Sequence, residues 1–570
     1  MLEVLSIMQS MSYKTFIKQV KSRLNNMSKA DLDDMIIRWA EKEPSSNRPY
    51  FIGKMIIPEP GDLNAADGET LLGEIDAFAQ RVESGKYCVG WGWDDDIYEE
   101  RDWGDESWAD EVDDFFLEAR ELLLGGDYQQ GKEAYKRLFE TLEMGEDPGH
   151  LPGDPDISCM LKVDLSEQLA LYLRAIYLDA PPSQRPVRLF ETMNKYGPLF
   201  GNISLADINE ALHSELPGFD SFLESWIQLL ESRSTILPNP LLREAIFLKG
   251  GIPAVSELAR QQADKYPRAF LDWIQALEEE GKTDSIIDVA REGLKTIPKD
   301  YSVRAEVAEV ISGLGGKLND SDLMLEGYQE SFYSNPSSKY LLDLYCTAID
   351  CNCFETVRDQ VEQRAWELYK QDRGLVPSYY HSDLSRSHLP ESLLYRVLIL
   401  GGRYVELFEL CKRKGSLGWS GGNNPKPYFV TYIMVLLSNN GKYKKVISNE
   451  WDTLLAGSAY GIDSNLTDKY NRIIAFTSNN IELTEEQKAF YLQWCCKEIG
   501  KRVDAIISNQ YRKSYYKAAN LLVAMTETMA NMGEGQKGVD LIEKYRRKYP
   551  RHSAFKGEIN RSLKESGLFD

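Results

Sequence analysis

Along most of this 570-residue chain, apolar residues recur at three- and four-residue steps between short polar breaks. That spacing predicts amphipathic helices. Residues 12–43 read as two short helices joined at Asn25-Asn26-Met27. Ser28 and Asp31 open the second with a capping-box-like pair, and Leu32, Met35, Ile36 and Trp39 line one face. Residues 43–69 carry several Pro and Gly and read as irregular, with a helix resuming near Glu69. The stretch 85–106, rich in Gly, Trp and acids, reads as a linker. It separates an N-terminal helical element (1–84) from a long helical array (107–570).

Within the array the breaks repeat. Gly281 is followed by Thr283, Ile286, Ala290 and Gly293, and Pro298 comes seventeen residues after the glycine. Gly250 precedes Ile252, Val255, Ala259 and Pro267 at that same distance; Gly533 precedes Gly535, Gly538, Ile542, Tyr545 and Pro550 likewise. Glycine ends one helix in a left-handed conformation, small residues let the next helix cross it closely, and proline stops that second helix. Weaker copies start at Gly126 (with Gly131 and Tyr135), Gly402 and Gly441, and ESFYSNPSS, with Pro336, closes another unit after an insertion. This pattern resembles the tetratricopeptide repeat (TPR), a helix–turn–helix unit of about 34 residues. The copies are degenerate: spacing drifts upward from 31 residues, Gly250 to Gly281, and the family's usual aromatic positions in the first helix are mostly missing. The resemblance implies an all-α solenoid whose helix pairs share one core and present a concave binding face.

The repeat reading also disposes of a possible phosphate loop at Gly281-Lys282-Thr283. Such a loop needs a glycine five residues before the Gly-Lys pair. That position is Ala276, and three glutamates, Glu278 to Glu280, follow it. The triplet is therefore expected to be a turn.

Charge adds a second division. The chain carries 66 Lys/Arg against 89 Asp/Glu, a net charge of −23, which on average repels nucleic acid. Yet residues 501–570 hold 14 basic and 8 acidic residues, whereas 94–114 holds 12 acidic residues and only Arg101. Trp91, Trp93, Trp103 and Trp108 punctuate the acidic stretch. They are candidate partner anchors, with a solvated linker as the alternative. Arg546, Arg547 and Lys548, interleaved with Tyr545 and Tyr549, are candidate contacts to nucleic acid or a protein. A charged face on a terminal repeat would also explain them. The start of the sequence lacks a secretory pattern, and the longest apolar run, 429–437, falls far short of a membrane span. Eight unevenly placed cysteines outline no disulfide framework, so a reducing cytoplasm is the expected location.

No catalytic constellation emerges. Gly418-Trp419-Ser420-Gly421-Gly422 satisfies the nucleophile-elbow spacing, but that motif works only between a strand and a helix, and here a basic helix precedes it. Cys346, Cys351 and Cys353, with His381 and His388 downstream, offer one knuckle of a zinc site without its mate. Asp62, Asn64, Asp67, Gly68 and Glu74 approach a calcium loop with two positions out of register. No cofactor is expected. Residues 16–44 and 515–559 also resemble the helical regions accompanying SWIM-type zinc fingers; the finger itself is absent, because no Cys-x-His completes Cys351-x-Cys353. The sequence thus predicts a non-enzymatic scaffold for a peptide or protein partner, with nucleic-acid association through the basic C-terminal repeats as the alternative.

Overall fold

The computed structural model describes residues 23, 27–42, 68–94, 99–146, 150–152, 157–213, 215–233, 238–371, 384–412, 414–415, 418–419, 422–438, 445–456 and 464–568. The chain divides into two compact units, Met1–Ser225 and Trp226–Asp570. Among the described residues the architecture is all-α, apart from one two-stranded sheet.

The first unit opens with α1 (Lys29–Lys42). Its predicted capping pair forms: Ser28 N donates to Asp31 Oδ2 at 3.0 Å, and Asp31 N to Ser28 Oγ at 3.2 Å. Next comes α2 (Gly68–Glu83), whose apolar stripe of Leu71, Ile75, Phe78 and Val82 is buried. A stripe of that kind needs a cover. It finds one in α3 (Trp108–Leu124) and α4 (Tyr128–Glu146), so the predicted boundary at residue 84 does not separate two bodies. Phe78 meets Phe115 of α3 edge-on at 5.8 Å. An aromatic cluster of Phe116, Tyr135, Phe139, Tyr172, Tyr196 and Phe200 ties α3 and α4 to α5 (Leu165–Asp179) and α6 (Arg185–Phe200). Two shorter helices, α7 (Leu205–Glu210) and α8 (Phe219–Glu231), follow. Arg174 is buried and donates to the carbonyls of Ile208 and Asn209, which anchors the end of α7.

The segment expected to be an acidic, Trp-rich linker contains two paired β-strands. Strand β1 (Cys88–Asp94) pairs antiparallel with β2 (Glu99–Gly104), from Cys88 opposite Gly104 to Asp94 opposite Glu99. Gly104 belongs there for a steric reason: a Cβ would lie 2.4 Å from the Tyr87 carbonyl oxygen. The Val-Gly-Trp-Gly-Trp alternation of β1 carries the period of a strand, a signal masked by the acidic, glycine-rich composition.

The second unit is a succession of αα-hairpins. We call the first helix of each pair A and the second B. In α9 (Pro238–Gln261) the pair is fused across a kink at Gly251 (φ 61°), one residue after the predicted turn at Gly250. The pairs α10 (Ala269–Glu279) with α11 (Ile286–Thr296), α12 (Arg304–Leu318) with α13 (Ser321–Ser334), and α14 (Ser338–Asp350) with α15 (Phe354–Lys370) come next. Then follow α16 (Glu391–Leu400) with α17 (Tyr404–Cys411) and α18 (Lys426–Leu437) with α19 (Lys445–Ala456). Gly281, Gly402 and Gly533 adopt the expected left-handed conformation, with φ between 71° and 79°. Asn319 and Asn352 do the same work between α12 and α13 and between α14 and α15, at φ 53° and 55°. The small residues also behave as expected. A Cβ on Gly293 would sit 3.1 Å from the Phe270 ring, and one on Gly538 would sit 2.7 Å from Thr526 Cγ2.

The remaining helices are α20 (Ser464–Ser478), α21 (Glu485–Ser508), α22 (Tyr515–Asn531), α23 (Gly535–Lys548) and α24 (Ser553–Ser566). They do more than extend the row. Helix α20 returns to lie on α14 and α16, α21 and α22 lie on α18, and α22 and α24 lie on α19. Consequently α18 is buried on nearly every side, as its run FVTYIMVLL requires. Two charged groups sit in this interior. Lys426 Nζ meets Glu498 Oε2 at 2.6 Å with both side chains almost fully enclosed. Glu527, with no exposed surface, accepts from Ile447 N at 2.9 Å and Val446 N at 3.3 Å, so a carboxylate closes the N-terminus of α19.

Candidate interaction surfaces

One face of the A helices can be followed by its ion pairs. Arg243 of α9 pairs with Asp272 of α10 at 2.6 Å, Arg268 beside α10 with Glu306 of α12 at 2.5 Å, and Glu309 of α12 with Lys339 of α14 at 2.5 Å. One turn along α14 the partner changes: Asp343 meets Lys469 of α20 at 2.5 Å, and Asp350 pairs with Arg472. Positions 339, 343 and 350 share a helix face. The row that runs from α9 to α12 is therefore occupied at α14 by the chain's own helix α20, whose Tyr470, Ile473 and Ile474 are buried there.

Upstream of α20 the row lies open among the described residues. Gln275 and Glu279 of α10 and Gly313 and Gly316 of α12 are exposed. A Cβ at either glycine would meet nothing within 4 Å. Glycine inside a helix costs about 0.5–1 kcal/mol relative to alanine, and no packing here repays that cost. A parallel ladder joins the B helices: Arg260 to Glu292, Arg291 to Glu326, and Gln329 to Gln360. Each rung spans about one repeat, which individual residues did not disclose.

The sequence-selected residues separate clearly. Trp108 does not face solvent: it is fully buried, and its Nε1 donates to the Pro152 carbonyl at 3.0 Å. It is a core residue, and its candidacy as a docking anchor is withdrawn. Trp91, Trp93 and Trp103 lie on the hairpin strands, opposite Asp102, Glu100 and Gly90. At the other end, Arg546 holds Glu543 at 2.8 Å and Asn560 at 2.5 Å, and Lys548 holds Asp504 at 2.7 Å. Arg547 is exposed and makes no ion pair among the described residues. The tyrosines that flank them, Tyr545 and Tyr549, are buried, and Tyr549 donates to Asp504 at 2.8 Å. Aromatic platforms for stacking bases are thus not offered by these two residues.

Gly281 forms a helix-closing turn in which Lys282 N donates to the Leu277 carbonyl and Lys282 Nζ pairs with Glu280. Trp419 of the GWSGG stretch is buried beneath the Arg502 guanidinium, 4.8 Å away, and helix α17 rather than a strand precedes it. Ser420 lies outside the described residues, as do His381, Asp62, Asn64, Asp67 and the Gly441 turn. Burial pushes the thiols of Cys346 and Cys353 up. No cluster of three or more His, Cys, Asp or Glu suited to a metal occurs among the described residues. No described helix is long and apolar enough to cross a membrane.

No family model matches the chain, and no curated protein does. Among solved structures, a circular tandem repeat protein with novel repeat topology and enhanced subunit contact surfaces aligns at 14% identity. The alignment covers 87% of this chain and 98% of that one, with a TM-score of 0.18. The helical-repeat assignment accordingly rests on the chain's own helix pairs, turns and ion-pair ladders.

Proposed function

We propose that this chain is a non-enzymatic interaction scaffold, and that its degenerate TPR-like repeats hold a peptide or protein partner along the open A-helix face of α10 and α12. The observation that carries this reading is the contrast along one row: among the described residues, the same face is covered by α20 at α14 and exposed upstream. Gly313 and Gly316 support it, because bare backbone on an exposed helix allows a partner's main chain to approach closely. A reducing, cytoplasmic setting agrees with eight unpaired cysteines. The burial of Tyr545 and Tyr549 weighs against the nucleic-acid alternative.

The test is capture by immobilised full-length protein with quantitative mass spectrometry, comparing wild type, Gly313→Arg and Gly73→Arg. Both glycines have open space around them, so neither change disturbs packing. A partner retained by wild type and Gly73→Arg but lost from Gly313→Arg supports the proposal. Equal recovery by all three, or no partner at all, defeats it.

A further inference from the structure

Two turns of the second unit are free of acids. Residues 505–526 hold three Lys/Arg and no Asp/Glu, and residues 544–557 hold six and none, within a chain of net charge −23. The first stretch contains the turn between α21 and α22, and the second the turn between α23 and α24. The fold brings them together. Tyr549 of the second turn donates to Asp504 of α21 at 2.8 Å and lies 3.3 Å from Ser508 Oγ. Lys548 reaches the same Asp504 at 2.7 Å, and Tyr515 at the start of α22 meets the Phe555 ring of α24 at 5.9 Å.

The side chains sort into used and unused. Arg546 and Lys548 are tied to carboxylates. Arg512, Lys513, Arg547 and Arg551 are exposed, and their side chains make no ion pair among the described residues. The aromatic rings divide in the same way. Tyr545 and Tyr549 are buried, whereas Tyr511 and Tyr516 are 56% and 46% exposed. Tyr511 is also held on a fixed backbone. Its N donates to the Ile506 carbonyl at 3.1 Å, and Ser514 N donates to the Tyr511 carbonyl at 2.8 Å. The residue before it, Gln510, has a left-handed φ of 55°, a conformation that glycine or asparagine supplies at Gly281, Asn319, Asn352, Gly402 and Gly533. For glutamine that conformation is strained.

Unpaired cations beside exposed rings suit a polyanion that carries a flat ring with each charge. An acidic peptide would meet the cations but bring nothing to stack on the tyrosines. We infer that the α21–α22 and α23–α24 turns together bind single-stranded nucleic acid. Bases stack on Tyr511 and Tyr516, and phosphates meet Arg512, Lys513, Arg547 and Arg551. The acidic remainder of the chain does not prevent this, because physiological salt screens exposed charges beyond about 8–10 Å. Stacking and phosphate contact are both tolerant of sequence, so the site accepts any single strand. The inference does not depend on the A-helix face of α10 and α12.

Fluorescence anisotropy of a labelled oligouridylate, titrated with the full chain, tests it. Four phosphate contacts predict that affinity falls roughly 50-fold between 50 and 200 mM salt. Arg512→Glu/Lys513→Glu should remove most of the binding. Tyr511→Ala/Tyr516→Ala should weaken it roughly 30-fold or more and keep the salt dependence, while Tyr511→Phe/Tyr516→Phe should bind like wild type. Lys537→Glu, at the opposite end of α23, should change nothing. Circular dichroism should show every variant folded. The inference is overturned if the wild type does not bind, if the alanine pair binds as tightly as wild type, or if the charge reversal does no more than Lys537→Glu. It is equally overturned if polyglutamate displaces the oligonucleotide at equal charge concentration, which would make this a site for an acidic protein.

Discussion

Buried charge sets the terms at the scale of single residues. Glu498 is opposed by burial, but hydrogen bonds from Lys426 and Lys501 win and hold its carboxyl below the usual glutamate range. A depressed carboxyl contributes stability that is present above its unfolded value, near 4.5, and lost as pH falls through the lower folded value. The unit around α18 should therefore weaken on acidification below about pH 4.5 through this pair. Glu498→Ala, which leaves Lys426 buried without a partner, is expected to cost about 3–5 kcal/mol in denaturant unfolding. Lys426→Met/Glu498→Leu should recover most of that loss. If the double variant were as unstable as the single one, the interior would depend on charge rather than on packing.

Between helices, the same residue type carries opposite consequences. Gly327 of α13 faces α12 so closely that a Cβ would lie 2.4 Å from Ser312 N and 2.7 Å from the Ala308 carbonyl oxygen. Both neighbours are backbone and cannot swing aside. Gly327→Ala should destabilise by roughly 1–3 kcal/mol, the usual cost of overpacking. Gly313→Ala, on the open face of α12, should instead stabilise by roughly 0.5–1 kcal/mol through helix propensity alone. Thermal unfolding of the two variants checks the signs, and a shared sign would refute the assigned faces. Hairpin closure was partly legible in advance at this scale. Gly281, Gly402 and Gly533 declared themselves, whereas Asn319 and Asn352 did not, because asparagine tolerates the left-handed region without requiring it. Counting only glycines made the repeat spacing drift more than it does.

At the scale of the whole molecule, the second unit departs from a one-dimensional array. In a simple solenoid each repeat touches only its neighbours, so a lesion stays local. Here α20 reaches α14 across more than a hundred residues of sequence, through Lys469 and Arg472 and the buried Ile473. Ile473→Ala should cost about 2–5 kcal/mol by opening a cavity. It should also lower hydrogen-exchange protection in Ser338–Asp350. Protection loss confined to α20 and its immediate sequence neighbours would restore the simple solenoid. The same closure limits the exposed A-helix face: among the described residues, α20 covers it at α14 and leaves it exposed on α10 and α12.

Local periodicity was enough to establish helices, their approximate ends, and the glycines where one helix crosses another, because these follow from backbone geometry within one or two turns. It also argued against a phosphate loop at Gly281 and a nucleophile elbow at Ser420, since both motifs need neighbours that the chain does not have there. Exposure and closure were beyond its reach. Trp108 and the two C-terminal tyrosines look like surface anchors in the sequence and are core residues in the fold. The charge ladders, the docking of α20 and the pairing of the two acid-free turns exist only once distant helices meet. A residue's neighbours along the chain fix its conformation, but whether it faces water or a partner is decided by segments a hundred residues away.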